Sequence, residues 1–252
     1  GYMSKECIFM TYNSYNPPYC NGNPALIYFV GRGVTGGWGG EVPTYDLVNE
    51  YEVKDPRKVH TILSHGDIFP KKDGNEEVHD YTGYDNFTKL QSRKHYVDHF
   101  RRPDAGLKQT DWSYYHIRYA DVLLMYAEAE VRKTGTVPSV AAINAVNQVR
   151  KRAGLSDLPS VTTNTKDAFL NAILIERGHE FFYEGNRKID LIRFNKYAQE
   201  MYKAKGIMPT HQYMPIPNYA VEQAISYGKE LKQTWERPGW AEDKSKAQQS
   251  IN

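Results

Sequence analysis

With 252 residues and 40% hydrophobic content, the chain is long enough to bury one sizeable core. Its formal charge of +2 excludes the electrostatic drive toward nucleic acid or anionic membrane that strongly basic domains carry. No run approaches the ~20 apolar residues of a membrane span, and the opening GYMSKECIF lacks the basic region and apolar core of a signal peptide.

Residues 1–113 are rich in Gly, Pro, Asn and Asp, with short apolar runs such as ALIYFV at Ala25 to Val30 and TIL at Thr61 to Leu63. That punctuation predicts a loop-rich segment with short strands or turns. Cys7 and Cys20 lie close together here, and the spacing allows either one disulfide or two free thiols. GRGVTG at Gly31 to Gly36 matches a dinucleotide-binding glycine pattern, but the GWGGEVPTY that follows cannot form the helix whose N-terminus would hold pyrophosphate. The stretch reads instead as a flexible loop presenting Trp38. His95 and His99 have the spacing of two metal ligands on a helix, yet no third ligand is apparent and no glutamate follows the first histidine. Asp73, Asn75 and Glu77 mimic the start of a calcium loop but place Val78 where the sharp turn requires glycine. No metal and no cofactor is expected.

From Tyr115 the hydrophobic period becomes helical. Ile117, Ala120, Leu124 and Ala127 define one face, and Ile143, Val146, Val149 and Ala153 another, separated by TGTVPS. This predicts a helical hairpin like one tetratricopeptide unit, with no second copy at a 34-residue spacing. Thr165 is the expected N-cap of a third helix through Phe169, Ile173, Arg177 and Phe181, ended or bent at Gly185. One further helix is expected over IDLIRFNKYAQEMYK, followed by extended chain at Pro209, Pro215 and Pro217. Residues 114–240 thus form a helical region, and 241–252 a frayed polar tail, within one compact unit.

The most informative stretch is ERGHEFFYEGNRKIDLIRF, Glu176 to Phe194. Glu176, Glu180 and Glu184 recur every four residues, and like charges so placed repel unless cations intervene. Arg177, Arg187, Lys188 and Arg193 are the expected partners in an ion network that ties the helix to its neighbours.

With RYADVLLMYAEA, INAVNQVRKRAGL and YMPIP in the same order, and a weaker VPTYDLVNEYE at Val42 to Glu52, this stretch resembles the C-terminal part of the SusD/RagB family. Those proteins are outer-membrane nutrient-binding lipoproteins that work with a TonB-dependent transporter. The resemblance spans roughly Val42 to Trp240 and departs from the family's arginine-rich centre at Gly178 and His179, and at Lys188. It implies a mainly α fold, with tetratricopeptide-like helical hairpins packed among long irregular loops and few short strands. It also implies a piece of a longer protein whose other half carries the signal and the lipid anchor.

The function so implied is non-catalytic binding of an oligosaccharide or polysaccharide at the cell outer membrane, for delivery to a TonB-dependent transporter. The alternatives are a glycoside hydrolase and a protein-interaction scaffold of the same uptake system. Tyrosine is over-represented at 20 residues against 9 Phe and 4 Trp, and amphipathic rings suit sugar faces. Loops held by a rigid scaffold commonly carry binding groups, so the candidate ligand-binding residues are Trp38, Tyr12, Tyr15, Tyr19 and Tyr45, with Arg32 and Asn16 as polar partners. No Ser-His-Asp signature or separated acid pair points to catalysis, because the three glutamates share one helix face.

Overall fold

A computed structural model describes residues 5–13, 28, 37–70, 76–80, 88–94, 113–232 and 240–249. Its chain divides into two compact units, Gly1–Arg187 and Lys188–Asn252. The change of composition near Tyr114 marks a change of secondary structure, not this division.

Among the described residues of the first unit, six short strands make three antiparallel ribbons: β1 (Cys7–Thr11) with β6 (Tyr114–Arg118), β2 (Ile62–Ser64) with β5 (Leu90–Ser92), and β3 (Ile68–Pro70) with β4 (Glu76–Val78). Helix α1 (Tyr45–Asn49) is capped by Thr44, whose hydroxyl accepts from the Leu47 amide. Helix α2 (Pro56–Thr61) is capped by Asp55 with Pro56 in the first turn, where a missing N–H costs nothing.

The helical hairpin is present as α3 (Tyr119–Thr134) and α4 (Val140–Arg152). Gly135 closes α3 in the left-handed region at φ 71°, and Ser139 caps α4 by accepting from the Ala142 amide. Helix α5 (Lys166–Glu180) starts at the expected cap, Thr165, and packs against the hairpin. Leu124, Val131, Val146, Phe169 and Ile173 are fully buried, each contributing about 1.5–3 kcal/mol. A smaller cluster of Val48, Ile62 and Phe182 fixes α1 and β2 to the chain after α5.

Four local expectations are corrected. Tyr114–Arg118 is a strand, not the start of a helix, and β1 supplies its hydrogen-bond partners. Glu6 then serves as the acidic cap that Arg118 cannot provide: its carboxylate accepts from the Ala120 amide and its carbonyl from Tyr119. In the second unit, the single helix expected over IDLIRFNKYAQEMYK is two, α6 (Arg187–Arg193) and α7 (Tyr197–Lys205), broken where Asn195 adopts φ 58°. Helix α8 (Asn218–Ser226) follows Pro217, where extended chain is expected, and none of its residues is buried. The polar tail is helical as α9 (Trp240–Gln249), because Trp240 and Ala247 bury against Ala198.

The three glutamates are ion-paired, but none of the four expected cations serves them. Arg177 donates to Asp121, Arg187 to the Leu174 carbonyl, and Arg193 to Asp190, while Lys188 lies over the Tyr197 ring. The partners come from other elements. Arg57 of α2 reaches Glu176 at 2.7 Å and Glu180 at 3.1 Å. Arg118 reaches Glu180 at 2.8 Å and Glu184 at 2.9 Å, Lys94 reaches Glu184 at 2.6 Å, and Arg150 and Arg152 close the ring from α4. Arg118 and Lys94 also donate to the Glu180 carbonyl, satisfying the exposed acceptor at the end of α5. Gly178 is what lets Arg187 lie across α5, since a Cβ there would sit 2.8 Å from its Nη1.

Removing Glu180 leaves guanidinium groups of Arg57 and Arg118 buried without it, so Glu180→Ala is expected to destabilise by about 3–5 kcal/mol in urea unfolding. A double-mutant cycle with Arg118→Ala should return a coupling of roughly 1–3 kcal/mol, whereas one with Arg187→Ala should be additive to within about 0.5 kcal/mol.

Candidate functional site

Of the seven residues chosen as sugar contacts, the described residues include Trp38, Tyr12 and Tyr45. Tyr15, Tyr19, Arg32 and Asn16 lie outside them, as do Cys20, the GRGVTG loop, His95, His99, Asp73 and Asn75. The end of the calcium-like stretch, Glu76–Val78, is extended as β4.

Trp38 is 50% exposed on the segment leading into α1. Its indole meets the Tyr28 ring edge-to-face, with centroids 4.9 Å apart and planes at 83°. The approach is fixed by backbone. Gly40 donates to the Tyr28 carbonyl at 2.9 Å, and a Cβ on Gly40 would stand only 3.1 Å from that oxygen. A side chain at position 40 would have to push that carbonyl back by a few tenths of an ångström, and Gly39 suits the left-handed region it occupies at φ 59°. Tyr28 was not among the residues chosen from sequence, because the apolar run ALIYFV reads as a short strand or turn; nothing local signals its ring pairing with Trp38.

Tyr45 opens α1 and is 50% exposed, and Tyr12 follows β1 at 59%. Beside Tyr12 the β1–β6 ribbon carries a second aromatic group. Phe9 stacks on His116 at 4.8 Å, Tyr114 meets the same imidazole edge-on, and Thr11 Oγ1 hydrogen-bonds His116 Nε2 at 2.7 Å. Neither Phe9 nor His116 was chosen from sequence, though Phe9 is 57% exposed.

The geometry of the glutamates opposes acid catalysis by them. A general acid needs a raised pKa and room beside a glycosidic oxygen. Burial alone would raise the Glu180 carboxyl, but Arg118, Arg152 and Arg57 outweigh it and hold the group below the usual carboxylate range. Glu176 and Glu184 are likewise buried against cations.

In the buried interior, Tyr51 stacks on His179 at 3.9 Å, and its hydroxyl donates to the His179 carbonyl at 3.4 Å. Burial pushes the Tyr51 phenol up to about 12. Burial, with Arg57 beside it, pushes the His179 imidazole down to about 3. The folded state therefore resists a proton that the unfolded chain takes up near pH 6.5, so stability should fall as pH drops from about 6.5 toward 3. Glu180, with its depressed pKa, should add to that loss as pH falls into and below the ordinary glutamate range, where the unfolded chain takes up a proton that the folded carboxylate resists. Melting temperatures from pH 7 to 5 should decline in the wild type and flatten in His179→Phe, which keeps the stack on Tyr51 and removes the titration.

Comparison with known proteins agrees with this architecture. The SusD family model matches residues 9–236. A SusD-like protein of Formosa agariphila is 30% identical over 201 residues, a match covering 72% of this chain and 37% of that protein. A laminarin-binding SusD-like protein superimposes with a TM-score of 0.66 at 22% identity, covering 94% of this chain and 50% of that one. Surface glycan-binding protein A of Bacteroides thetaiotaomicron, solved with laminarihexaose, superimposes at 0.59 with 19% identity over 92% of this chain and 52% of its own. The chain spans less than half the length of the curated relatives it matches. With the family model matched across most of its length and the ion-paired helical scaffold in place, the chain belongs to the SusD family.

Proposed function

We propose that this chain binds extracellular glycans without turning them over, at the outer-membrane surface, and delivers them to a TonB-dependent transporter. The observation that carries the reading is Trp38, a large indole left half exposed on a glycine-defined segment and steadied by Tyr28. A half-exposed indole has a face available to a ligand, and the C–H face of a pyranose is a suitable partner for it. Two structural neighbours, one described as laminarin-binding and one solved with laminarihexaose, support a glycan as the ligand class. Membership of the SusD family supports the surface location and the transporter partner. No helix among the described residues is long and apolar enough to cross a membrane, which accords with a peripheral attachment.

Tyr12 and Tyr45 remain in the proposed contact set, together with Tyr15, Tyr19, Arg32 and Asn16. Hydrolysis is disfavoured because Glu176, Glu180 and Glu184 are committed to structural cations. The alternative of a scaffold for protein partners alone lacks the support that the glycan-binding neighbours lend to a sugar ligand.

Isothermal titration with laminarihexaose tests the reading. Trp38→Ala should leave the melting temperature nearly unchanged and weaken binding by roughly 1–3 kcal/mol, the loss of one stacking face. Reducing-end assays on the same glycan should show no release. A melting temperature that drops sharply in Trp38→Ala with affinity intact would place the indole in the core and sink the site.

A further inference from the structure

Helix α3 carries two apolar seams. Ala120, Leu124, Ala127 and Val131 recur at spacings of four and three residues and are buried on the side that packs against α4 and α5. Tyr119, Val122, Tyr126 and Ala129 recur at spacings of three and four along the nearly opposite side, and all four are exposed, with Met125 beside them. The four large side chains of this outer seam keep 37–48% of their surface open. The outer sides of the neighbouring helices are built differently. From Asn144 onward the exposed residues of α4 are Asn144, Gln148, Lys151 and Arg152, and those of α5 are Asp167 and Asn171. A helix that is apolar on both sides is stable when it is packed on both sides, and α3 is packed on one.

We infer that the outer seam of α3 is the seat of a further helix, contributed by a part of the polypeptide that this chain does not span. In a stack of helical hairpins, the unit at the end turns a polar face outward. The α3–α4 hairpin turns Tyr119, Val122 and Tyr126 outward instead, which is the surface of a unit inside a stack. The chain has no second copy of the hairpin at a 34-residue spacing to lay there. Length points to the source. The match to the laminarin-binding SusD-like protein takes up 94% of this chain and only 50% of that one, so in that protein a comparable length of chain accompanies this fold. The alternating spacing of three and four residues fits a helix that brings its own apolar seam, with side chains of each helix set between those of the other. Ala129 lets the two backbones approach closely at one end of the contact. The inference concerns the scaffold and stands whether or not Trp38 touches sugar.

Thiol labelling tests the seat, in a Cys7→Ser, Cys20→Ser background, on the 252-residue chain and on the complete gene product. Val122→Cys should react with a maleimide at least ~tenfold more slowly in the complete gene product than in the 252-residue chain, whereas Gln148→Cys, on the polar side of α4, should react alike in both. Val122→Glu should leave the melting temperature of the 252-residue chain unchanged and lower that of the complete gene product, where the carboxylate would be buried without a partner. Equal labelling of Val122→Cys in the two proteins overturns the seat. Slow labelling already in the 252-residue chain overturns it as well: a monomer by sedimentation would show that a segment of this chain covers α3, and a dimer that a second copy does. A gene that adds no helix to this chain leaves the seat without its occupant and overturns the inference outright.

Discussion

The structure depends on keeping the carboxylate of Glu180 charged while it is 4% exposed. A buried carboxylate is tolerable only with close, well-oriented cations, and the ones that reach it come from α2, the end of β6 and α4. Each of those elements must be in place before the charge is satisfied, so the interaction is cooperative by construction. Arg118 shows how tightly the pieces interlock. One guanidinium pairs with Glu6, Glu180 and Glu184, donates to the Glu180 carbonyl and lies 4.7 Å over the Phe181 ring. The β1–β6 ribbon, the start of α3 and the end of α5 therefore share one electrostatic centre.

How much of this could be read from the residues follows from the range of each interaction. The α3–α4 hairpin and the Thr165 cap are set by neighbours three or four residues apart, and periodicity exposes them directly. The ion network was legible as a need and illegible as a wiring diagram. Three acids on one helix demand cations, but Arg57 lies 119 residues from Glu176, and local pattern cannot distinguish it from the nearer Arg177. The same limit hid β6: Tyr114–Arg118 has a face that fits a helix, and only pairing with β1, more than a hundred residues earlier, makes it a strand. In the second unit, α9 is too polar to show a buried stripe, because Trp240 and Ala247 alone anchor it.

The placement of the exposed rings follows the same rule of range. Trp38 stands out because its flanking glycines offer it no side chains, and its exposure accords with that local poverty. Tyr28 was hidden by the opposite circumstance. Its apolar neighbours suggest burial, and what places its ring is the Gly40 amide twelve residues on, together with the absence of a Cβ at Gly40. Aromatic residues are easy to count in a sequence, but the angle between two rings is a tertiary quantity.

Stability and the proposed recognition are separated in this chain by where its charges and its rings are kept. Glu176, Arg177, His179 and Glu180 are nearly inaccessible, so a ligand cannot compete for them and a substitution there is felt as unfolding. Trp38 and Tyr28 carry their contacts at the surface, on a segment whose course is fixed by glycine geometry and one backbone hydrogen bond. None of the ion pairs of Glu176, Glu180 and Glu184 involves Trp38 or Tyr28, so exchanging these rings removes no partner from the ion centre. A scaffold anchored by buried ion pairs and a loop defined by backbone contacts can thus change specificity by altering few side chains, provided the residue at position 40 stays small enough to keep Tyr28 against Trp38.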